Sequence, residues 1–183
     1  MAGQDRLRWD AIYSEKRDQP LPPPDPLLLQ FAPPADGARA LDLAGGLGQN
    51  ALWLAEQGYV VDLIDISRTA LTRAQDEAAR RGVRGINFIQ MDLDRAELEA
   101  QTYDLIAVFR FLDRALFPML RAAVKPGGRV IYQTFNTRYR PPQPFNPDHL
   151  LRVGELAGIF ADWRILHLSE PDAVTQVVAI KPR

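Results

Sequence analysis

Three aspartates stand at or near the ends of apolar segments, and a glycine-rich segment follows the first of them. Asp42, Asp65 and Asp92 are these acids, and residues 44–48 contain the glycines. Glycines allow a tight turn and let a ligand approach bare backbone, and the start of a helix offers unpaired amide groups. The pattern predicts a ligand-binding turn between a strand and a helix, although glycines in such a place can also serve the turn alone.

The two later acids suit the groups of an adenosine. Asp65 can accept hydrogen bonds from both ribose hydroxyls. Asp92 can accept one from the exocyclic amine of adenine, with Met91 or Leu93 packed on the ring. Simpler interpretations stay open, because Asp65 can cap the following helix beside Ser67, and Asp92 can be a solvated acid that begins a loop.

Asp42 distinguishes between two classes of cofactor. Gly46, Gly48 and Ala51 also match the dinucleotide fingerprint Gly-x-Gly-x-x-Ala, which is weak evidence when it stands alone. A carboxylate just ahead of the glycines would repel a pyrophosphate, but it suits a ligand with an ammonium group. S-Adenosylmethionine carries an amine and a sulfonium and no phosphate. The residues therefore favour this cofactor over a nicotinamide dinucleotide.

The segments around these residues alternate apolar strands with amphipathic helices, which is typical of a parallel sheet covered on both faces. The predicted strands span residues 38–44, 59–65, 86–92, 103–109, 129–135, 163–169 and 175–181. The predicted helices span residues 48–57, 67–81, 115–124 and 148–160. The connection between the last two strands is so short that these strands must pair antiparallel.

Residues 1–31 are predicted to accompany the core rather than to form a domain. Residues 5–16 are expected to form an amphipathic helix that caps the domain. The Pro-rich run 20–26 is expected to be an extended tether, and residues 27–31 a short helix. The whole chain, residues 1–183, is predicted to be a single domain with its core at 38–183.

Composition argues against several kinds of site and partner. The 183 residues carry a net charge of −1 and no cysteine, so a disulfide, a thiolate metal site and a cysteine nucleophile are excluded. His149 and His167 lack the spacing of metal ligands, and no metal is expected. The near-zero net charge does not favour nucleic acid as a partner. Without a membrane-spanning segment or the apolar core of a signal peptide, a cytoplasmic location is predicted.

Together these residues resemble the class I S-adenosylmethionine-dependent methyltransferases, particularly small bacterial ones similar to tellurite-resistance methyltransferases. The resemblance covers nearly the whole chain, and Ala44 stands where the family pattern has its first glycine. It implies a Rossmann-like three-layer α/β sandwich with a seven-stranded, mostly parallel sheet and an antiparallel C-terminal hairpin. The motifs that carry it are Asp42-Leu-Ala-Gly-Gly-Leu-Gly48, Asp65-Ile-Ser67, Gln90-Met-Asp92, Tyr103-Asp104-Leu105 and Lys125-Pro-Gly-Gly128.

The resemblance also implies which residues meet the cofactor. Gly46 and Gly48 would approach its amino-acid part, Asp65 its ribose and Asp92 its adenine. Tyr13 would cover it from the first helix, or else be a core aromatic. The full predicted set of cofactor-binding residues is Tyr13, Asp42, Ala44, Gly45, Gly46, Gly48, Asn50, Asp65, Ile66, Met91, Asp92, Leu93, Phe109 and Arg110.

Methyl transfer from a sulfonium is an in-line displacement with a good leaving group, so alignment and desolvation can supply most of the catalysis. By the resemblance, Phe109 and Arg110 would lie near the transferred methyl group. Only a hydroxyl or amine acceptor needs a base, and the candidates are Tyr139, His149 and Asp113. Arg110, Tyr139 and His149 are therefore the weak candidates for catalytic residues, and His149 can equally be a solvated or capping residue.

The loop after the fifth predicted strand is a candidate for binding the acceptor. Arg138 and Arg140 can hold an anionic group, with Tyr139 and Phe145 as apolar walls, or the arginines can simply face water. No appended domain is seen that would hold a macromolecule, so a small-molecule acceptor is predicted. Two alternative functions stay open: a nicotinamide-dependent reductase, and a non-catalytic protein that binds S-adenosylmethionine.

Overall fold

The computed structural model describes residues 2–141 and 145–183. Its α-helices are α1 Ala2–Glu15, α2 Pro26–Phe31, α3 Gln49–Glu56, α4 Arg68–Arg81, α5 Phe117–Ala123 and α6 Glu155–Ile159. Its strands are β1 Arg39–Leu43, β2 Val60–Asp65, β3 Ile86–Gln90, β4 Tyr103–Phe109, β5 Val124–Phe135, β6 Arg164–Ser169 and β7 Val174–Ile180. Within the described residues they form a seven-stranded sheet of order β3-β2-β1-β4-β5-β7-β6. The predicted mixed α/β fold, mostly parallel with an antiparallel hairpin at its end, is confirmed.

The chain divides into two compact units, of which the first ends at Glu97 and the second begins at Leu98. In the N-terminal unit, β1 and β3 each pair with β2 in parallel. Strands β1 and β2 are buried beyond their first residue, whereas β3 is only partly buried. The apolar core of this unit includes Leu41, Leu43, Leu52 and Leu63, each fully buried. The prediction of a single domain stays a prediction.

Helix α4 has clear signals at both ends. Ser67 caps it by accepting a hydrogen bond from the amide of Ala70 at 3.1 Å, as a serine N-cap does. Gly82 ends it with a φ of +69°, a conformation that glycine adopts at no steric cost. The face between these ends buries small and apolar side chains at helical spacing: Ala70, Leu71, Ala74 and Ala78. This part of the prediction matches the structure closely.

The C-terminal unit contains the predicted antiparallel ending. β4 and β5 pair in parallel, whereas β7 pairs antiparallel with both β5 and β6. Aromatic rings fill the core beside these strands: Phe117 lies 5.4 Å from Tyr132 and 6.4 Å from Phe160, between ring centroids. The hairpin inferred from the short connection between the last two strands is confirmed.

The prediction of one helix over residues 148–160 is wrong. The segment contains a 3-10 turn at Pro147–His149 and only the short α6 after Gly154, whose φ is +83°. Between them, Leu151 is fully buried and forms an isolated parallel bridge with Asn136. Tertiary pairing of this backbone interrupts the helical pattern of the sequence.

Other predicted boundaries shift because polar groups cap neighbouring turns. β3 ends at Gln90 rather than at Asp92, since the Asp92 side chain caps a 3-10 turn at Leu93–Arg95. A second 3-10 turn, Arg114–Leu116, precedes α5 where a continuous helix was predicted. β5 begins at Val124 rather than at Arg129, so the Lys-Pro-Gly-Gly segment lies within the strand.

The predicted amphipathic character of the first helix is also wrong. Leu7 and Trp9 are exposed by 64% and 41%, so α1 has no continuous apolar stripe facing the core. The residues of α1 that are partly buried are Asp10, Ile12 and Tyr13. Polar contacts from this short face therefore hold the helix in place.

Candidate cofactor site

The glycine-rich turn follows β1 directly and leads into α3. Ala44, Gly46 and Gly48 have φ values of +52°, +55° and +73°. The amide of Gly48 closes the turn by donating to the carbonyl oxygen of Gly45 at 3.0 Å. A positive φ is free of strain for glycine but uncommon for alanine. Ala44 thus adopts the left-handed conformation at the place where the family pattern has a glycine.

Asp42 lies behind this turn and is almost completely buried, with 1% of its surface exposed. Its Oδ2 accepts a hydrogen bond from the amide of Ala51, near the start of α3, at 3.1 Å. Its Oδ1 has no hydrogen-bond partner among the described residues. Burial raises the pKa of the Asp42 carboxyl to about 7, against the Ala51 hydrogen bond and with a smaller contribution from the charge of Asp65.

Asp65 closes β2 and contacts the same turn from its other side. Its Oδ2 accepts from the amide of Gly46 at 2.8 Å, and its Oδ1 accepts from the amide of Ser67 at 2.8 Å. Burial raises the pKa of Asp65, although these amide hydrogen bonds lower it. Asp65 therefore fixes both the turn and the start of α4. Each carboxylate oxygen keeps a further lone pair that a ligand hydroxyl can use.

Tyr13 reaches the turn from α1. A Cβ atom built on Gly46 would lie 2.4 Å from the Tyr13 hydroxyl oxygen, so the phenol rests against the bare Cα of that glycine. Burial raises the pKa of Tyr13, and the negative charges of Asp65 and Asp42 raise it further. The hydroxyl of Tyr13 is therefore neutral over the physiological pH range.

Asp10 holds α1 on the N-terminus of α4. Its Oδ1 accepts from the Ser67 hydroxyl at 2.6 Å and from the Thr69 amide at 3.0 Å. Burial raises the pKa of Asp10, but these hydrogen bonds outweigh it and the net shift is downward. At the other end of α1, the Arg73 guanidinium donates to the carbonyl oxygens of Lys16 and Gln19. Asp10 lies one helical turn before Tyr13, and no motif of the sequence predicted its role.

The remaining predicted residues of this unit fall into two groups. Met91 stays close to Asp65, because its amide donates to the Asp65 carbonyl oxygen at 3.0 Å. Asp92 is half-buried, and its Oδ1 accepts from the Asp94 amide at 3.2 Å. Asn50 is buried and accepts from the Asp25 amide, so its carbonyl group orders the start of α2. The other two have apolar side chains: Ile66 is half-buried and Leu93 is buried.

The C-terminal unit contains the residues predicted near the reacting methyl group. Phe109 ends β4, and Arg110 follows it with a φ of +57° while its amide donates to the Gln133 carbonyl oxygen at 2.8 Å. The side chain of Arg110 is exposed. His149 is exposed too, and its Nδ1 lies 3.5 Å from the Leu112 carbonyl oxygen.

An aromatic cluster, defined here as Phe135, Tyr139 and Phe145, follows β5 in the same unit. Tyr139 stacks on Phe135 with ring centroids 4.0 Å apart, and Phe145 stands edge-on to Tyr139 at 5.6 Å. Phe145 is 42% exposed. Arg138 and Arg140 donate from their Nη1 atoms to backbone carbonyl oxygens, so these guanidinium groups are partly engaged by the chain itself.

Within residues 2–141 and 145–183, no group of three or more histidine, cysteine or acidic side chains is placed to hold a metal ion. No helix in this part of the chain has both the length and the apolar character needed to cross a membrane.

Comparison with known proteins identifies one region of the chain. Residues 40–128, just under half of the chain, match a family model described as a methyltransferase domain. Solved structures of S-adenosylmethionine-dependent methyltransferases share the fold. The matched range begins in β1 and includes the glycine-rich turn, Asp65 and Asp92.

Individual relatives agree with this assignment. A ubiquinone/menaquinone biosynthesis C-methyltransferase from Serratia proteamaculans is 33% identical over 136 residues, which cover 66% of this chain and 53% of that protein. A ubiquinone biosynthesis O-methyltransferase from Vibrio vulnificus is 32% identical over 139 residues, 70% of this chain and 58% of that protein. The structure of TehB from Haemophilus influenzae aligns with a TM-score of 0.75 at 18% identity, over 94% of this chain and 67% of that one.

This chain spans about half the length of the curated relatives it matches. The resemblance to methyltransferases inferred from the motifs is confirmed. The assignment of individual residues to parts of the cofactor remains a prediction.

Proposed function

We propose that this chain transfers the methyl group of S-adenosylmethionine to a small-molecule acceptor. One observation carries the proposal: a glycine turn at the end of β1 is enclosed between two buried carboxyl groups, Asp42 and Asp65. A pyrophosphate at this turn would face both acids, whereas a cationic nucleoside without phosphate is attracted to them. The nicotinamide-dependent alternative is therefore disfavoured by charge.

The residues around the turn fit S-adenosylmethionine. The unpartnered Oδ1 of Asp42 suits the ammonium group of its amino-acid part. The glycines at positions 46 and 48 let the turn adopt positive φ values and pack closely against Tyr13 and Leu63. Asp65 would hold the ribose hydroxyls through its remaining lone pairs, and Asp92 the adenine amine. Tyr13 would close the amino-acid end from α1.

The cofactor, when bound, supplies an electrophilic methyl group on a sulfonium, and the protein has to align the acceptor with it. Asp65 and Asp10 fix the turn and the helix that approaches it, so the binding groups are ordered in advance. We expect alignment and exclusion of water to supply most of the rate. Asp113 caps a turn with its Oδ1 on the Ala115 amide, which makes it a weaker candidate base than His149 or Tyr139.

The aromatic cluster of the C-terminal unit supports an acceptor with an aromatic ring. Edge-to-face and offset-stacked rings attract a further ring, and Phe145 is exposed enough to receive one. The names of relatives support it in part, since two of them act in ubiquinone biosynthesis, one as a C- and one as an O-methyltransferase. The exposed Arg110 suits an acidic group on the same molecule.

We also propose a bacterial, cytoplasmic protein that does not bind nucleic acid. A net charge of −1 supports the last point, because unspecific binding to nucleic acid depends on an excess of basic residues. Tight, salt-sensitive RNA binding in a gel-shift experiment would contradict it.

Transfer of a radiolabelled methyl group tests the function. The purified chain is incubated with labelled S-adenosylmethionine and with separate pools of phenols, carboxylic acids, thiols, chalcogen oxyanions with a reductant, and bulk RNA. We expect label in a small-molecule pool, with the phenols first. Label in RNA would contradict a small acceptor, and cofactor binding without transfer to any pool would favour the non-catalytic alternative.

A further inference from the structure

Asp42 is enclosed by atoms of its own unit. Its Oδ2 has the Ala51 amide as a donor, and its Oδ1 has no partner in the described part of the chain. Gly45 and Leu63 close over it: a Cβ built on Gly45 would lie 2.6 Å from Oδ2 and 2.3 Å from Leu63 Cδ1. An ionised carboxylate with one neutral donor is costly in such a place, because little replaces its lost hydration.

Asp65 differs from Asp42 although both acids are buried. Two backbone amides donate to Asp65, one to each oxygen, and they stabilise its ionised form. The charge of Asp65 in turn opposes ionisation of Asp42. The two environments thus favour different ionisation states, a negative charge on Asp65 and a proton on Asp42. The pKa of Asp42, raised by burial to about 7, agrees with this assignment.

Among the described residues, no positively charged side chain contributes to the shift in the pKa of Asp42. From β2 it faces Asp65, and from α1 the neutral hydroxyl of Tyr13. The neighbouring part of α3, residues 49–52, has no charged side chain. Asp10 of α1 acts on Asp65 and adds negative charge to the group. The site therefore lacks the positive charge that would let both acids ionise.

We infer that Asp42 is a cofactor-binding residue that is protonated in the free protein and ionises when the ammonium group of the cofactor reaches the glycine turn. The inference rests on the proposed function. The ammonium group brings the cation that the unit lacks and pairs with Oδ1. The O–H bond of the carboxyl group breaks, its electron pair stays on oxygen, and the proton passes to water. The ammonium group keeps its own protons.

Proton release makes cofactor affinity depend on pH. The free protein binds a proton that the complex lacks, so a lower pH favours the free protein. With a carboxyl that titrates at about 7, affinity rises about tenfold between about pH 6 and about pH 8 and then levels off. A merely structural Asp42 would give no such dependence.

Calorimetry on the full chain counts the protons directly. S-Adenosylhomocysteine, which has the same ammonium group, is titrated into the protein in two buffers of different ionisation enthalpy. We expect release of about 0.9 proton at about pH 6 and about 0.1 at about pH 8. Asp42→Asn has the same size and no proton to lose, so release is absent and affinity is flat over this range.

Asp62→Asn is the matched control. Asp62 is another buried acid of the same sheet, with Arg39 and Asn87 as partners. This variant should keep the wild-type proton release. Should Asp42→Asn fail to fold, carboxyl-carbon NMR of the wild type replaces it: one aspartate should titrate near 7 in the free protein and not in the complex.

Three results would overturn the role of Asp42 and leave the proposed function standing. The first is tight binding of S-adenosylhomocysteine at about pH 6 without proton release. The second is a release that persists in Asp42→Asn, which would point to Asp65. The third is a free protein whose aspartates all titrate below about 5. Failure of S-adenosylhomocysteine to bind at any pH would instead overturn the proposed function itself.

Discussion

The candidate site residues of the two units differ in burial. In the N-terminal unit, Asp42 and Asp65 are buried and accept hydrogen bonds from backbone amides. In the C-terminal unit, Arg110 and His149 are exposed, and the His149 ring lies 6.4 Å from the ring of Phe145 in the aromatic cluster. Ordered buried groups suit a ligand of fixed shape, and exposed groups on loops suit a ligand that varies among relatives. We therefore expect mutations in the first unit to change cofactor binding and mutations in the second to change acceptor use.

The largest expected effect is on the folding of the glycine turn. In Gly45→Ala the new methyl group meets Leu63 and Asp42 within 2.7 Å, and such overpacking costs about 1–3 kcal/mol of unfolding free energy. Chemical denaturation measures it. Gly158→Ala, at a glycine with no atom within 4 Å of its added Cβ, is the control and should change stability by less than about 1 kcal/mol. Equal losses in both variants would contradict close packing at the turn.

The second-largest expected effect is a loss of cofactor affinity in Asp65→Ala. Asp65→Ala removes a carboxylate that accepts two amide hydrogen bonds and, by the proposal, holds the ribose. Cofactor binding should weaken by about 1–3 kcal/mol, the usual scale for a lost charged hydrogen bond. Calorimetry with S-adenosylhomocysteine checks this, with Asp92→Ala as a half-buried counterpart at the next strand end. Unchanged affinity in Asp65→Ala would reject the ribose assignment.

Asp10→Ala should release α1 from α4. Two hydrogen bonds to the start of α4 are lost, and a lost cap of this kind costs about 1 kcal/mol. Amide hydrogen exchange should become faster in α1 and stay unchanged in β4 and β5. Asp5→Ala, at an exposed acid of the same helix, is the control. If exchange in α1 is the same in both variants, Asp10 does not anchor the helix.

The smallest expected effect is on the binding of the acceptor, and it tests whether the two units have separate roles. Tyr139→Leu removes a ring of the aromatic cluster that stacks on Phe135 and, by the proposal, on the ring of the acceptor. An aromatic pair with the acceptor contributes about 0.5–1.5 kcal/mol. For an aromatic acceptor, KM should rise about 2- to 12-fold, while the Kd of S-adenosylhomocysteine stays the same. Steady-state kinetics and calorimetry give the two values. A change in Kd with an unchanged KM would reverse the roles given to the two units.

Much of the fold follows from short-range patterns in the sequence. The alternation of strands and helices, the serine cap and terminal glycine of α4, and the short connection before the last strand each depend on neighbours in the chain. The glycine turn and the three strand-end acids belong to the same class of signal. The tertiary structure confirms these elements except the helix over residues 148–160, and it moves most of their ends by a few residues.

The details that sequence patterns missed depend on contacts between distant residues. Asp10 meets Ser67 across 57 positions of the chain, and no local periodicity reports such a pair. The predicted helix over residues 148–160 is interrupted because Leu151 pairs with Asn136. One oxygen of the buried Asp42 has no partner among the described residues, whereas both oxygens of Asp65 accept hydrogen bonds from backbone amides. The residue type alone does not distinguish these two environments.

The most direct test of cofactor choice is a pair of calorimetric titrations of the full chain, one with S-adenosylhomocysteine and one with NADH. Two buried carboxyl groups at the glycine turn predict saturable binding of the phosphate-free nucleoside and none of the dinucleotide. Saturable binding of NADH together with no heat from S-adenosylhomocysteine would contradict it.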